Sequence, residues 1–181
     1  VEEHLSRLNE RYFERFSEDD IREHLDGLSC LSQEHPVKLQ IRETGHHQAD
    51  FTVLGFDYLG VFSLMTGILA GMGFHISSGD VFTYSRRRQK SGQQGLQRVQ
   101  GRPRRKTDRL SRRRIVNHFS GSWTQDFRFE EWAAELDKWI AAIFVLLERG
   151  DSQSAEKARH QVNERVVKEL DHLQSDTTPT L

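Results

Sequence analysis

The sequence predicts a mixed α+β fold, in which helices pack on an antiparallel sheet. Four segments have the period-two alternation or the short β-prone composition of strands, namely 37–41, 51–56, 74–84 and 115–119. Two segments have apolar residues at three- and four-residue steps, which predicts helices over 61–72 and 129–149. From residue 51 onward, the order strand, helix, strand, strand, helix is typical of a ferredoxin-like βαββα arrangement.

A helical connector is predicted over residues 1–36. Apolar residues at helical spacing predict a first helix over 2–15. Ser17, followed three residues later by Asp20, resembles a capping box and predicts the start of a second helix. Pro36 cannot continue a helix, so the connector is expected to end there.

Turns and a C-terminal helix complete the predicted order. The polar stretch 43–50 predicts a turn, and Gly121 with Ser122 is expected to break the last strand. Residues 151–181 are predicted to form a C-terminal helix, over about 153–173, and a linker. No strand is predicted after the helix 129–149. A fourth strand for the βαββα unit would therefore come from downstream residues or from another chain.

Composition limits the class of protein. Hydrophobic residues make up 35% of the chain and charged residues 29%, so a core is possible but part of the chain must be solvated. The longest apolar stretch, 139–147, is too short to span a bilayer, and no secretory leader opens the chain. The single cysteine, Cys30, suits a reducing compartment, so the expected location is cytoplasmic.

Charge is strongly segregated along the chain. Residues 86–114 contain thirteen Arg or Lys residues and one acid, which predicts a solvent-exposed, disordered insertion. A polyanion is one candidate partner, and the arginines that would contact it are Arg86, Arg87, Arg88, Arg104, Arg105, Arg112 and Arg113. The segment contains no aromatic residue on which bases would stack, which argues against nucleic acid. This favours the alternative of a solvated loop, or one that docks on the acidic remainder of the protein.

A family resemblance is carried by the run FTVLGFDYLGVFSLMTGILAGMGFHISSGDVFTYS, residues 51–85. A strand, an Asp, a short turn with Gly, an apolar helix, a Gly and an Ile-containing strand follow one another, and this order resembles an ACT domain. Asp57 to Phe62 is its most specific part. NHFSG at 117–121 is similar to the third strand of the ACT repeats in the uridylyltransferase that modifies the nitrogen-signalling protein PII. YFERFSEDDI at 12–21 and HPV at 35–37 resemble the connector before those repeats, so the resemblance covers about residues 10–150.

The resemblance implies a regulatory module of a larger nucleotidyltransferase-like protein. Residues 37–150 would form an ACT-like domain that binds an amino acid such as glutamine. Its partners would be a second ACT domain and a catalytic domain outside this chain. The ligand would contact the turn after the first strand, together with the strand of a second subunit. The residues implied are Asp57, Tyr58, Leu59, Gly60, Val61, Phe62, Ile76 and Ser77.

Elementary chemistry also supports a ligand at this turn. Backbone N–H groups at a helix N-terminus attract an anion such as a carboxylate. Gly60 allows close approach to the backbone, and Asp57 is placed to receive an ammonium group. The alternative is that Asp57 only caps the helix and Gly60 only turns the chain.

No catalytic, metal or cofactor site is predicted in this chain. Gly121-Ser122 is not followed by a paired Asp-x-Asp, and no His-Asp dipeptide is present, so nucleotidyl transfer or phosphohydrolase chemistry would lie elsewhere. The adjacent His46 and His47 are expected to diverge and to suit a shared metal poorly. Three functions remain open: an amino-acid sensor, a scaffold that pairs without a ligand, and a polyanion-binding adaptor.

Overall fold

The computed structural model describes residues 6–85, 112–123 and 128–176 of the chain. The helices are α1 (Glu10–Arg15), α2 (Glu18–Ser29), α3 (Val61–Ala70), α4 (Phe129–Glu148) and α5 (Ser152–Asp176). The strands are β1 (Val37–Gly45), β2 (Gln48–Phe56), β3 (Phe74–Thr83) and β4 (Arg114–Trp123). The α+β class is therefore confirmed, and so are the predicted helices after residues 17, 60, 128 and 151.

The four strands form one sheet in the order β1-β2-β4-β3, and every neighbouring pair is antiparallel. β2 and β4 are central, because each has a partner on both sides. The segments 51–56 and 74–83 thus lie in one sheet with β4 between them. A further strand has no place beside β2 and would have to pair with the outer edge of β1 or β3.

One face of the sheet packs on α3 and α4. Apolar side chains of the strands, such as Phe51 and Phe119, are buried there among Met65 and Ile68 of α3 and Phe144 of α4. The helix α5 adds to the same cluster through Ala158 and Val162. This cluster is the larger of the two hydrophobic cores, because a helix layer covers the strands along most of their length.

The opposite face packs on α1 and α2. Tyr12 and Phe16 from the first helix region and Leu28 from α2 are buried against Leu54, Val116, Phe82 and Tyr84 of the sheet. Ser17 caps α2, and both hydrogen bonds of the predicted capping box with Asp20 are present. The sheet is therefore covered by helices on both faces.

The first helix is shorter than predicted. It begins at Glu10, because the side chain of Asn9 accepts a hydrogen bond from the backbone N–H of Tyr12 at 3.3 Å and so caps the helix start. Residues 6–9 form a turn, and residues 1–5 lie outside the described part of the chain. The prediction of one helix over 2–15 was therefore wrong for residues 6–9.

The polar stretch 43–50 belongs mostly to a β-hairpin, so the predicted long turn was wrong. Glu43 pairs with Ala49 across the two strands, and only His46 and His47 connect them. His47 has a φ of 58°, in the left-handed region that tight connections use. Polar residues are tolerated there because β1 is an edge strand whose side chains are largely solvent-accessible.

The predicted break at Gly121 and Ser122 was also wrong, because β4 continues through both residues to Trp123. A side chain at Gly121 would collide with the carbonyl oxygen of His75 on the neighbouring strand. The glycine therefore permits close approach of β3 and β4 rather than ending the strand. None of the helices within the described ranges combines the length and the hydropathy needed to cross a bilayer.

Candidate functional site

The turn between β2 and α3 brings together six of the eight residues predicted to bind a ligand. Gly60 precedes the helix with a φ of 78° and offers no side-chain cap, and a Cβ added there would meet nothing within 4 Å. The N–H of Val61 donates to the carbonyl oxygen of Tyr58 at 3.1 Å, and the N–H of Leu64 donates to that of Gly60 at 3.1 Å. The intervening N–H groups of the first turn have no acceptor within the helix, which is the usual state of a helix start.

Asp57 does not cap the helix, so that part of the alternative interpretation is wrong. Its backbone N–H donates to the carbonyl oxygen of Arg113 at 2.9 Å, and its carboxylate pairs with the guanidinium of the same residue at 3.1 Å. Both contacts join the turn to the residue just before β4. The Asp57 carboxylate is thus placed to hold a cationic group, and Arg113 supplies that group here.

Tyr58 connects the turn to the end of α4 through a hydrogen bond and a ring contact. Its hydroxyl donates to Glu148 Oε2 at 2.6 Å, and its ring packs edge-on against Phe144 with centroids 5.7 Å apart. Arg112 also donates to Glu148. Burial, followed by the hydrogen bond to Glu148, raises the pKa of the Tyr58 hydroxyl well above its ordinary value. Tyr58 therefore stays neutral and acts as a hydrogen-bond donor at any physiological pH.

The other residues at the turn differ in exposure. Leu59 projects fully into solvent, whereas Val61 is buried in the core. Phe62 is partly exposed and stacks on Phe119, with ring centroids 5.7 Å apart. A ligand at this turn would therefore meet backbone amides, the Asp57 carboxylate and the apolar surface of Leu59 and Phe62.

Ile76 and Ser77 lie far from the turn within one chain. Asp57 bonds to Arg113, whereas Ile76 is opposite Gly121, eight residues further along β4. Eight residues of strand correspond to a separation of about 26 Å. Ser77 lies at an irregularity in β3 and donates its hydroxyl to the carbonyl oxygen of Ser120 at 3.0 Å. These two residues can meet a ligand at the turn only if they come from a second chain, as the resemblance implies.

The arginines predicted to contact a polyanion fall into two groups. Arg86, Arg87, Arg88, Arg104 and Arg105 lie outside the described residues. Arg112 and Arg113 are described, and they form ion pairs with Glu148 and Asp57. Each of these two side chains therefore already has an acidic partner within the protein.

The sequence analysis missed a group of polar residues beneath the N-terminal helices. Gln40, Thr52, His118 and Asp80 are cross-strand neighbours and form one row across all four strands. Thr52 and His118 are buried, and Thr52 Oγ1 lies 3.1 Å from His118 Nδ1. Burial lowers the pKa of His118, and the charge of Arg15 acts in the same direction. A signal was present, because polar residues at 50 and 52 interrupt an otherwise apolar strand on one side only.

The described residues offer no group of three or more His, Cys, Asp or Glu side chains arranged to hold a metal ion. His46 and His47 do not diverge as predicted, since their rings stack with centroids 4.0 Å apart at the hairpin connection. No protein-family model matches the chain, and no curated protein matches it.

Proposed function

We propose that this chain is a regulatory module of ACT type, which binds an amino acid such as glutamine and controls a catalytic domain outside the chain. The observation that carries the proposal is the turn 57–60 at the start of α3. Open backbone N–H groups there suit a carboxylate, and the neighbouring Asp57 carboxylate suits an ammonium group. The two groups of an α-amino acid would thus be recognised at one position.

The finer fold assignment, a ferredoxin-like ACT arrangement, belongs to the same proposal. Its support is the order β2, α3, β3, β4, α4, with both helices buried against one face of the sheet. In this proposal β1 takes the outer place beside β2, which removes the need for a fourth strand after α4. A second ACT domain would contribute Ile76 and Ser77 to the turn of its partner, and the cytoplasm is the proposed location.

Titration calorimetry with the 181-residue chain and a panel of amino acids, led by glutamine, tests this proposal. We expect binding heat with at least one amino acid, and we expect Asp57→Ala to abolish the part of that heat that comes from the turn 57–60. Asp19→Ala is the matched control, because it breaks a comparable ion pair, Asp19 with Arg22 at 2.8 Å, elsewhere on the surface.

Two outcomes would contradict the proposal. The first is a chain that gives no heat with any amino acid. The second is an Asp57→Ala variant that binds as tightly as the parent while its thermal unfolding stays cooperative. Gly60→Ala provides a further check, since its φ of 78° strains any residue with a Cβ although the space is free. We expect this variant to bind more weakly because it shifts the backbone of the turn.

A scaffold that pairs without a ligand is the second candidate. The observation that favours it is the exposed apolar surface of α5, where Val167 is 55% and Leu170 52% exposed on neighbouring turns. Light scattering would then give twice the chain mass, and Leu170→Ser would restore the monomer. A single-chain mass for the parent contradicts the scaffold.

A further inference from the structure

A polar cleft lies between the N-terminal helices and the sheet, on the face opposite to α3 and α4. Its volume is about 120 Å³. That is room for about four water molecules at ~30 Å³ each, or for one small organic molecule. The sheet provides Gln40, Thr52 and His118 as its floor, and Arg15 and Asp20 contribute from the helices above.

One ring nitrogen of His118 has no partner within the part of the chain that the structure describes. The residue is only 7% exposed, and its Nδ1 is engaged by Thr52 at 3.1 Å. Its Nε2 is buried and has no hydrogen-bond partner among the described residues. A buried polar atom without a partner destabilises the fold, so such an atom in a native structure points to a bound water, a bound ligand or a role in function.

Asp50 lies beside this nitrogen, and its carboxylate likewise has no hydrogen-bond partner among the residues that are described. Its Oδ2 is 4.0 Å from His118 Nε2, which is too long for a hydrogen bond. Arg42 stands directly opposite Asp50 in the strand register, yet its guanidinium pairs instead with Asp20 and Glu23. Among the described residues, His118 is the only basic group within 4.0 Å of the Asp50 carboxylate.

The spacing of these two atoms fits one nitrogen. A donor placed between Asp50 Oδ2 and His118 Nε2 can reach both at about 2.8–2.9 Å. When the Nδ1–H of His118 donates to Thr52, Nε2 carries a lone pair and accepts. Burial lowers the pKa of His118 and so favours this neutral ring. A primary ammonium group satisfies both acceptors and neutralises the Asp50 charge.

Two arginines of the cleft lining have spare donors. A guanidinium carries five N–H donors. Arg15 uses one of its nitrogens for a hydrogen bond to Asp80. Arg42 uses two of its nitrogens, for hydrogen bonds to Asp20 and Glu23. The remaining N–H groups are available to a carboxylate. The lining contains two arginines and two aspartates, so the charges of these four side chains balance.

We propose that this cleft is a binding site for a small α-amino acid, whose ammonium group lies between Asp50 and His118 and whose carboxylate faces Arg15 and Arg42. Such a ligand would join the N-terminal helices to the sheet, because its carboxylate contacts Arg15 of α1 while its ammonium group contacts Asp50 and His118 of the sheet. This site is separate from the turn 57–60 and does not depend on a ligand there.

NMR of the imidazole nitrogens of His118 in the full 181-residue chain provides a direct test. Glycine and L-alanine are the probes, and methylammonium and acetate each carry only one of the two charged groups. We expect the Nε2 resonance to move and saturate with the two amino acids. We expect each half-probe to bind about 10- to 100-fold more weakly, since one charged hydrogen-bonding group is missing. The resonance is assigned by its loss in His118→Gln.

Asp50→Asn keeps the shape of the side chain and removes its charge, and the Asp50 side chain is 37% exposed, so this variant should fold. We expect it to weaken the amino-acid response about 10- to 100-fold, while the surface control Asp19→Asn leaves it unchanged. Asp57→Ala should also leave it unchanged, which separates this site from the turn.

Two results would overturn the inference. One is a His118 resonance that neither amino acid moves, which would mean that the gap holds water only. The other is a response that Asp50→Asn leaves intact. A response lost in Asp57→Ala but kept in Asp50→Asn would overturn this site while supporting the turn.

Discussion

The two faces of the sheet are built from the same strands but differ in composition. On the face toward α3 and α4, buried apolar side chains extend along the strands, with Asn117 as a buried polar residue among them. On the face toward α1 and α2, an apolar end around Leu54 and Val116 gives way to the polar row that includes Thr52 and His118. The change occurs within two residues on each central strand.

The first face contributes mainly to stability, whereas the second face contains the candidate binding cleft. The first face gains from burying continuous apolar surface, at about 25 cal/mol per Å². The second face keeps polar atoms out of water, which stabilises a fold only if each atom finds a partner. His118 Nε2 lacks one among the described residues. This unpartnered atom is the observation on which the proposed binding site in the cleft rests.

The largest expected effect is on the apolar face. Phe144 is fully buried against the ring of Tyr58 and beside Gly55. Phe144→Ala should lower the free energy of unfolding by about 3–5 kcal/mol, because it removes apolar contact and leaves a cavity. Val145→Ala, at a partly exposed position on the same helix, should cost less than about 1 kcal/mol. Denaturant unfolding measures both, and equal losses would contradict the placement of the core.

The apolar end of the mixed face should show a smaller effect. The Tyr12 hydroxyl bonds to His24 Nδ1 at 2.7 Å in a buried position. Tyr12→Phe keeps the ring contacts but removes this hydrogen bond, and we expect a loss of about 1–3 kcal/mol. Denaturant unfolding is again the measurement. A variant as stable as the parent would show that the hydroxyl is not needed to hold α1 on α2.

Asn117 tests whether a polar residue on the apolar face has a structural use. It is buried, its Oδ1 has no hydrogen-bond partner among the described residues, and its Nδ2 lies 4.0 Å from the sulfur of Met65. Asn117→Val should therefore raise the free energy of unfolding by about 1 kcal/mol, because a poorly satisfied amide is removed. A clear loss of stability would mean that the amide has a partner or a role that the apolar face requires.

The smallest effect is expected from pH. The pKa of His118 is lowered from 6.5 by burial first and by Arg15, against the opposing charges of Asp50, Asp80 and Asp20. The unfolded chain then binds more protons than the folded one between the two pKa values. Stability is therefore full above about pH 6.5 and falls as the pH drops toward the folded-state pKa. Unfolding midpoints measured across this pH range should fall as the pH drops. The dependence of the midpoint on pH should be weaker in His118→Gln and unchanged in the control Asn117→Val.

Local signals predicted much of the fold. The capping box at Ser17 and Asp20, the helix after Gly60 and the long helix after Arg128 all depend on residues a few positions apart. The position of the turn 57–60 was predicted for the same reason. The side-chain cap at Asn9 was missed, because an asparagine before a run of helix-forming residues is compatible with either a cap or a helix interior.

Long-range contacts account for what was missed. Gly121 resembled a strand breaker, but the carbonyl of His75 requires a glycine there, and the two residues are 46 positions apart. The pairing of Asp57 with Arg113 and of Tyr58 with Glu148 likewise joins distant segments. No local pattern distinguishes a carboxylate that caps a helix from one that binds a remote arginine.

The sequence by itself determined the elements, their order and the turn that precedes α3, since hydrophobic period, capping residues and glycine conformation act within a few residues. Only the tertiary structure decided which strands pair, which helices cover each face, and that Asp50, Thr52 and His118 line one cleft with Arg15. The physical reason is that these contacts join segments as much as about 100 residues apart, where packing and strand register rather than local preference select the partner.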